Sequence, residues 1–329
     1  MTGGYGFIAS NLIRYTLEKN SDVRITNVDS LSFGSNPSNL KDIKRDPRYH
    51  FVKGDIANPS LVNRLVRKVD AVINVAAETH VDRSIANPKP FLRSNTTGAF
   101  TILESVRKLN PKIRVVHVST DEIYGDILGG SFNEDQRLKP SNPYAASKAA
   151  ADLFALAYHR TYGLNVTITR CTNNFGPYQS PEKLVPKTII RAHRNLPVPV
   201  YGKGEQVRDW IYVLDHCEAL IKVLEKGEAG EIYNISAGNE LRNIDIVTSI
   251  LDMLSKPRDL LHFVEDRPGH DIRYCLDSSK IRSRLGWKPR YSFTEGLKET
   301  VNWYLENKYW WRPQALEKML HPTPWKLKW

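Results

Sequence analysis

The chain has 329 residues, 41% of them hydrophobic, enough for one large domain or a large and a small one around a sizeable core. It contains no run of about 18 apolar residues and no signal peptide with an apolar centre, so no membrane span is expected and the expected setting is the cytoplasm. Lysine and arginine (47) outnumber aspartate and glutamate (36), a net charge of +11, but the basic residues are scattered, which favours a small anionic ligand over nucleic acid.

Residues 2–10, Thr-Gly-Gly-Tyr-Gly-Phe-Ile-Ala-Ser, give Gly3-x-x-Gly6-x-x-Ala9 ahead of an apolar helix carrying Phe7, Ile8, Leu12, Ile13 and Leu17. Glycines let backbone approach a pyrophosphate, and the unpaired N–H groups of a helix N-terminus favour the anion. Val23 to Val28 then reads as a strand ending in Asp29, at the spacing of an acid that binds adenosine ribose hydroxyls. Such an acid favours NAD over NADP, whose 2′-phosphate it would repel. A strand should precede the glycine loop in this arrangement, yet only Met1 and Thr2 stand before Gly3. Either the start lies upstream or the sheet lacks its central strand, and the first is the expectation.

Phe51-Val52 leads to Asp55-Ile56, a strand end suited to an adenine edge. Ala71 to Val75 is a further strand, followed by the charged loop Ala76-Ala77-Glu78-Thr79-His80-Val81-Asp82-Arg83-Ser84, in which His80 is either a site residue or a loop residue with only solvent contacts. Residues 88–109 and 143–162 read as long helices, and pairing them with their equivalents in a second copy would give a four-helix homodimer contact.

Ile113, Val115, Val116 and Val118 mark a buried strand, which leads through Ser119-Thr120 into Asp121, Glu122 and Gly125. Ligands of open α/β sheets bind beyond the carboxyl ends of the strands, so the Thr-Asp-Glu triplet faces that crevice. Tyr144 and Lys148 stand i, i+4 on one face of the alanine-rich helix that follows. A neighbouring ammonium favours the phenolate, which makes Tyr144 a base at neutral pH. Alone, Tyr-x-x-x-Lys is an ordinary helix face; beside this strand end and the glycine loop it points to chemistry.

Val166 to Arg170 is another strand, running into Thr172-Asn173-Asn174-Phe175-Gly176. Strand-helix alternation then loosens. We therefore expect a Rossmann-type doubly wound parallel sheet over residues 1–170, and over 171–329 a smaller ligand-binding part interleaved with that sheet. Lys183, Arg208 and the loop Asp266-Arg267-Pro268-Gly269-His270 are candidate anion ligands, arginine because its planar fork donates two bonds at once. Pro199-Val200-Tyr201 offers an aromatic ring and backbone groups to a base, and the tail tryptophans Trp303, Trp310, Trp311, Trp325 and Trp329 read as packing residues. Cys171, Cys217 and Cys275 are odd in number and widely spaced, indicating neither a disulfide framework nor a metal site.

The stretches TGGYGFIAS, AAETHVDRS, STDEIYGD, NPYAASKAA, NNFGPYQSPEKL, VRDWIYV and EDRPGHDIRY, spread over the whole chain, resemble the extended short-chain dehydrogenase/reductase family and, within it, the dTDP-glucose 4,6-dehydratases. The Thr-Asp-Glu triplet is the specific part, because sugar-nucleotide epimerases of the same family typically lack that acid-base pair. The resemblance implies that NAD is the cofactor and that Tyr144 removes the C4 hydroxyl proton of a hexose while the hydride leaves C4. Lys148 would hold the phenolate and the nicotinamide ribose, Thr120 would orient the hydroxyl, Glu122 would abstract the C5 proton and a protonated Asp121 would donate to the departing C6 hydroxyl. By the same resemblance Gly3, Gly6, Phe7, Ile8, Asp29, Asp55, Ile56, Ala77, Tyr144, Lys148 and Asn174 contact NAD. Thr79, Thr120, Asn173, Lys183, Leu184, Tyr201, Arg208, Asn243, Arg267 and His270 would hold the nucleotide sugar. Departures from the family pattern are Ala9 for the third glycine, Thr79 for serine, Phe175 for tyrosine and the missing first strand. The competing readings are a 4-epimerase, a UDP-sugar dehydratase, a non-enzymatic NAD-binding regulator and, least favoured, a nucleic-acid binder.

Overall fold

The computed structural model describes residues 1–329. In chain order its strands are β1 (Ile25–Asp29), β2 (Tyr49–Lys53), β3 (Ala71–Asn74), β4 (Arg114–Thr120), β5 (Val166–Cys171), β6 (Asn173–Phe175), β7 (Val198–Tyr201), β8 (Val207–Tyr212), β9 (Ile232–Ile235), β10 (Glu240–Arg242) and β11 (Leu261–Val264). Strands β3, β4, β5 and β9 lie side by side in parallel, and β1 pairs in parallel with β2. Thr2 bridges to both Val28 and Asn74, so residues 1–2 occupy the slot between β1 and β3 where the sequence pattern lacks a strand. The result is an α/β fold whose strand ends all point to one edge.

β4 and β5 are buried on both faces, as strands covered on both sides must be, with Val115, Val116, Val166 and Ile168 in the core. One face carries the helices Phe7–Lys19 and Val213–Lys226, the other the helices Pro59–Val66, Gly98–Leu109 and Pro143–Tyr162. Fully burying each of these aliphatic side chains contributes about 1.5–3 kcal/mol, which fixes the three-layer stack. Residues 88–109 are not one regular helix. Leu92–Thr97 is a π-helical turn that swings Asn95 inward, where its amide donates to the Glu78 carbonyl (3.0 Å) and the Ser147 hydroxyl (2.9 Å). Such bulges collect at functional sites, and this one ties the loop after β3 to the helix bearing Tyr144.

Beyond Thr172 the chain builds a second layer above the strand ends. β8 pairs in parallel with β6 and antiparallel with β10, while β7 and β11 form a parallel pair. The helices Leu184–His193, Asn243–Met253 and Phe293–Glu306 cover these strands over a core containing Phe175, Ile189, Ile246, Leu297, Trp310 and Trp311. Phe175 packs against Tyr212 and Phe293 (5.7 and 5.4 Å between ring centres), so a phenylalanine fills the position apolarly. No helix is long and apolar enough to cross a membrane.

Candidate active site

The glycine loop is shaped by contact with the backbone that follows β3. Gly3 has φ +69°, and a Cβ there would stand 2.7 Å from the Ala76 Cα, so a side chain is excluded twice over. Gly6 then opens the helix Phe7–Lys19 with no side chain capping it, which leaves the first-turn N–H groups facing the cleft. Asp29 is 4% exposed. Its carboxylate accepts from the Tyr5 amide (3.0 Å), the Leu31 amide (2.8 Å) and the Ser35 hydroxyl (2.7 Å), tying the glycine loop to the loop after β1. Asp55 accepts from the Ala57 amide and from Arg93 Nε (2.8 and 2.9 Å). Gly3, Gly6, Phe7, Ile8, Asp29, Asp55, Ile56, Ala77, Tyr144, Lys148 and Asn174 all line this first cavity, together with Thr120, Asp121 and Glu122.

At the end of β4 the Thr120 hydroxyl donates to Asp121 Oδ1 (3.1 Å) and accepts from the Glu122 amide (3.4 Å), starting the tight turn Asp121–Tyr124. The turn stops at Gly125, whose φ is +82° and where a Cβ would stand 2.3 Å from the Lys139 carbonyl oxygen, so only glycine fits. Asp121 is 2% exposed and its Oδ2 has no partner. Burial, then the adjacent Glu122, pushes its carboxyl up to about 8, so it keeps its proton at neutral pH. Glu122 is also raised by burial, but Arg267, Arg208 and Lys183 pull it back toward the ionised form. Two adjacent carboxyls in unlike surroundings are thereby fitted for unlike roles.

Asn142 caps the helix Pro143–Tyr162 by accepting from the Ala145 amide (2.9 Å), which presents Tyr144 and Lys148 from its first two turns. The surroundings of this pair set burial against the expected pull of Lys148 on Tyr144. Lys148 Nζ donates to the Val118 carbonyl at 2.6 Å, and burial brings its own value down to about 8. The Tyr144 phenol stands well above its ordinary range, through burial first and then Glu122 and Cys171, with the Thr120 hydroxyl opposing. The i, i+4 spacing is as expected; the desolvation of the phenol is invisible in that spacing.

A second cavity adjoins the first. Thr79, Asn173, Lys183, Leu184, Tyr201, Arg208, Asn243, Arg267 and His270 line it, and Thr120, also expected to hold the sugar, stands in the first cavity. Tyr201 donates to Asp82 Oδ2 (2.9 Å), and Arg267 donates to Asp82 Oδ1 (3.1 Å) while its Nε is buried without a partner. Arg208 spends three N–H bonds on the carbonyls of Val207, Ile272 and Asp271 (2.7, 3.2 and 2.7 Å), leaving two of its five donors. Its guanidinium lies 4.1 Å over the Tyr274 ring. Lys183 donates to the Thr79 carbonyl (2.9 Å). His270 meets Asp266 Oδ1 at 2.6 Å, and burial with Arg267 and Arg208 drives its imidazole down to about 4. The cations Lys183, Arg208 and Arg267 around this largely polar hollow suit a phosphorylated ligand. Thr79, Glu122, Asn173, Glu182 and Lys183 face both cavities.

His80 is not a solvent-facing loop residue: it is buried, 3.3 Å from the Glu182 carbonyl, with its imidazole lowered to about 4 by burial. The sequence reading missed Arg83, buried between Glu78 (2.8 Å) and Glu182 (3.3 Å) and lining the first cavity. It also missed Asp82 and Lys187 in the second. The charged run after β3 was the only signal for Arg83 and Asp82.

Residues 1–300 match the family model of the GDP-mannose 4,6 dehydratases. A dTDP-glucose 4,6-dehydratase of Streptomyces niveus is 47% identical over 317 residues, covering 95% of this chain and 94% of its own. The crystal structure of DesIV, a dTDP-glucose 4,6-dehydratase from Streptomyces venezuelae solved with NAD, superposes with a TM-score of 0.93 at 48% identity, over 95% of this chain and 98% of that one. A UDP-glucuronic acid 4-epimerase from Bacillus cereus, also solved with NAD, reaches a TM-score of 0.87 at only 26% identity, over 93% of this chain and 98% of that one. On the extent of the family match and the near-half identity of full-length relatives, this chain belongs to the GDP-mannose 4,6 dehydratase family and groups within it with the dTDP-glucose 4,6-dehydratases.

Proposed function

We propose that this chain dehydrates dTDP-glucose to dTDP-4-keto-6-deoxyglucose, with NAD in the first cavity and the nucleotide sugar in the second. The first cavity fits a dinucleotide: the Gly3 cradle has no room for a Cβ, and the uncapped helix start offers N–H groups to a pyrophosphate. Bound NAD supplies a hydride acceptor for C4 and a donor for C6.

Tyr144 accepts the C4 hydroxyl proton, and Thr120 orients that hydroxyl. Tyr144 must do so as the phenolate: its own proton passes to solvent before the sugar enters, and the Lys148 ammonium, one helical turn further along, favours that charge. With C4 a ketone, the C5 hydrogen is acidic and Glu122 removes it. Asp121, protonated below about pH 8, donates to the C6 hydroxyl, which leaves as water. Each positioned acid or base contributes on the order of 10²–10⁴-fold. Lys183, Arg208 and Arg267 hold the diphosphate, and Tyr201 and Asn243 face the base.

The observation that carries this reading is the Asp121–Glu122 pair, one carboxyl buried with its Oδ2 unpartnered and the other facing both cavities. Incubation with dTDP-glucose and with UDP-glucose, following the alkaline absorbance of a 4-keto sugar, tests it. A product that keeps its C6 oxygen identifies an epimerase, and turnover of the UDP-sugar alone reassigns the nucleotide. We further infer a homodimer through the helices Gly98–Leu109 and Pro143–Tyr162, supported by exposed Phe100, Leu153, Phe154 and Tyr162. A cytoplasmic setting is supported by three unpaired cysteines.

A further inference from the structure

We propose that residues 321–329 form a clasp across the cleft, in which Trp325 positions Tyr201 in the second cavity and Trp329 holds Phe33 and Arg83 at the rim of the first. The segment lies outside the family match, which ends at residue 300. It is anchored from below: the buried Lys187 donates through Nζ to the His321 carbonyl (3.2 Å), and the half-buried Arg191 to the carbonyl of the preceding Leu320 (2.8 Å). Lys326 pairs with Glu265, next to the loop that carries Arg267 and His270.

On the substrate side the Trp325 ring meets Tyr201 edge-on, 4.9 Å between centres at 81°. Tyr201 donates to Asp82, and Asp82 in turn accepts from Arg267, so the indole braces a short chain of contacts that ends on an anion ligand. On the cofactor side Trp329 meets Phe33 edge-on at 5.2 Å. Arg83 lies 4.3 Å over Phe33 and 5.7 Å from the Trp329 ring. Phe33 is 42% exposed and stands in the cavity-lining loop 30–35, so these two contacts are what hold its ring down. Trp329 Nε1 donates to the Pro324 carbonyl (2.8 Å), closing the segment on itself. Neither indole lines a cavity, so both act through other residues.

The clasp rests on the proposed assignment of the two cavities, and its test separates the two ideas. Trp325→Ala, Trp325→Phe and Trp329→Ala are made in the full chain. Each is measured for dTDP affinity by calorimetry, for the rate of NAD release and for amide exchange without ligand. An edge-on aromatic contact is worth about three- to tenfold in an equilibrium. Trp325→Ala is expected to weaken dTDP by that factor with NAD release unchanged, and Trp325→Phe to recover most of the loss. Trp329→Ala is expected to speed NAD release by a similar factor with dTDP affinity unchanged. Ligand-free exchange rises at 199–201 and 81–86 in Trp325→Ala and at 30–35 in Trp329→Ala. Equal effects of either variant on both ligands, or unchanged affinities with unchanged exchange, overturn the clasp. If the unaltered chain binds no dTDP, the substrate reading falls and the exchange result alone decides: a rise confined to those segments supports the clasp, and its absence refutes it.

Discussion

Replacing Asp121 with asparagine keeps the shape of the side chain and removes its proton equilibrium. Burial and Glu122 raise this carboxyl from 3.8 to about 8, so between those values the folded chain holds a proton that the unfolded chain has released. Stability in that window falls by about 1.4 kcal/mol for each pH unit, starting near pH 4 and levelling off above about 8. At pH 7 that amounts to about 4 kcal/mol at most, for roughly three pH units of the window. The asparagine escapes this cost but leaves an amide N–H where Oδ2 has no partner, a loss of about 1–3 kcal/mol. The variant is therefore expected to match or trail the natural chain at pH 4–5 and to exceed it by about 1–3 kcal/mol near neutrality, a rise of a few degrees in melting temperature. Urea unfolding of both proteins at pH 5, 6, 7, 8 and 9 measures the gap. The same variant should lose C6 hydroxyl elimination by on the order of 10²–10⁴-fold. A gap that does not change with pH would show that Asp121 is already ionised in the fold, and its role as the acid would go with it.

Glu122→Gln should leave C4 oxidation in place and slow the exchange of the C5 hydrogen with solvent deuterium by on the order of 10²–10⁴-fold; full exchange by that variant removes Glu122 as the base. Arg267→Lys should raise KM for the nucleotide sugar about 10- to 100-fold with kcat little altered, since a single ammonium cannot both hold Asp82 and reach a diphosphate; an unchanged KM frees Arg267 of that contact. Leu153→Arg, on a face where Leu153 is 57% exposed, should yield a monomer by light scattering at micromolar concentration without lowering the melting temperature of the subunit; a natural chain that is already monomeric refutes the helix-paired dimer.

What could be read from the sequence was local. The Gly3-to-Ala9 loop, the turn after β4 and the Tyr144–Lys148 pair each sit within a few residues, and their geometry follows from one helix start, one strand end and one helix face. Contacts that join distant segments were not legible: Arg83 meets Glu182 across 99 positions and Arg267 meets Asp82 across 185. Either pair becomes visible only when the second layer folds over the strand ends. Burial was the other blind spot. It turns His80 from a loop residue into an interior one, and raises the Tyr144 phenol against the expected pull of Lys148, because the cost of desolvating a charge depends on neighbours that no spacing reveals. The π turn at Leu92–Thr97 escaped for a related reason: the pull on Asn95 comes from Glu78 and Ser147, not from its own helix.

The two cavities run into one another, and five side chains, Glu122 and Lys183 among them, line both. Where an occupant on one side reorients or recharges a group that the other occupant touches, the two affinities are thermodynamically linked and each alters the other by the same factor. A dissociation constant for either ligand is then to be quoted together with the occupancy of the adjoining cavity, and the order in which the two enter is set by these shared side chains.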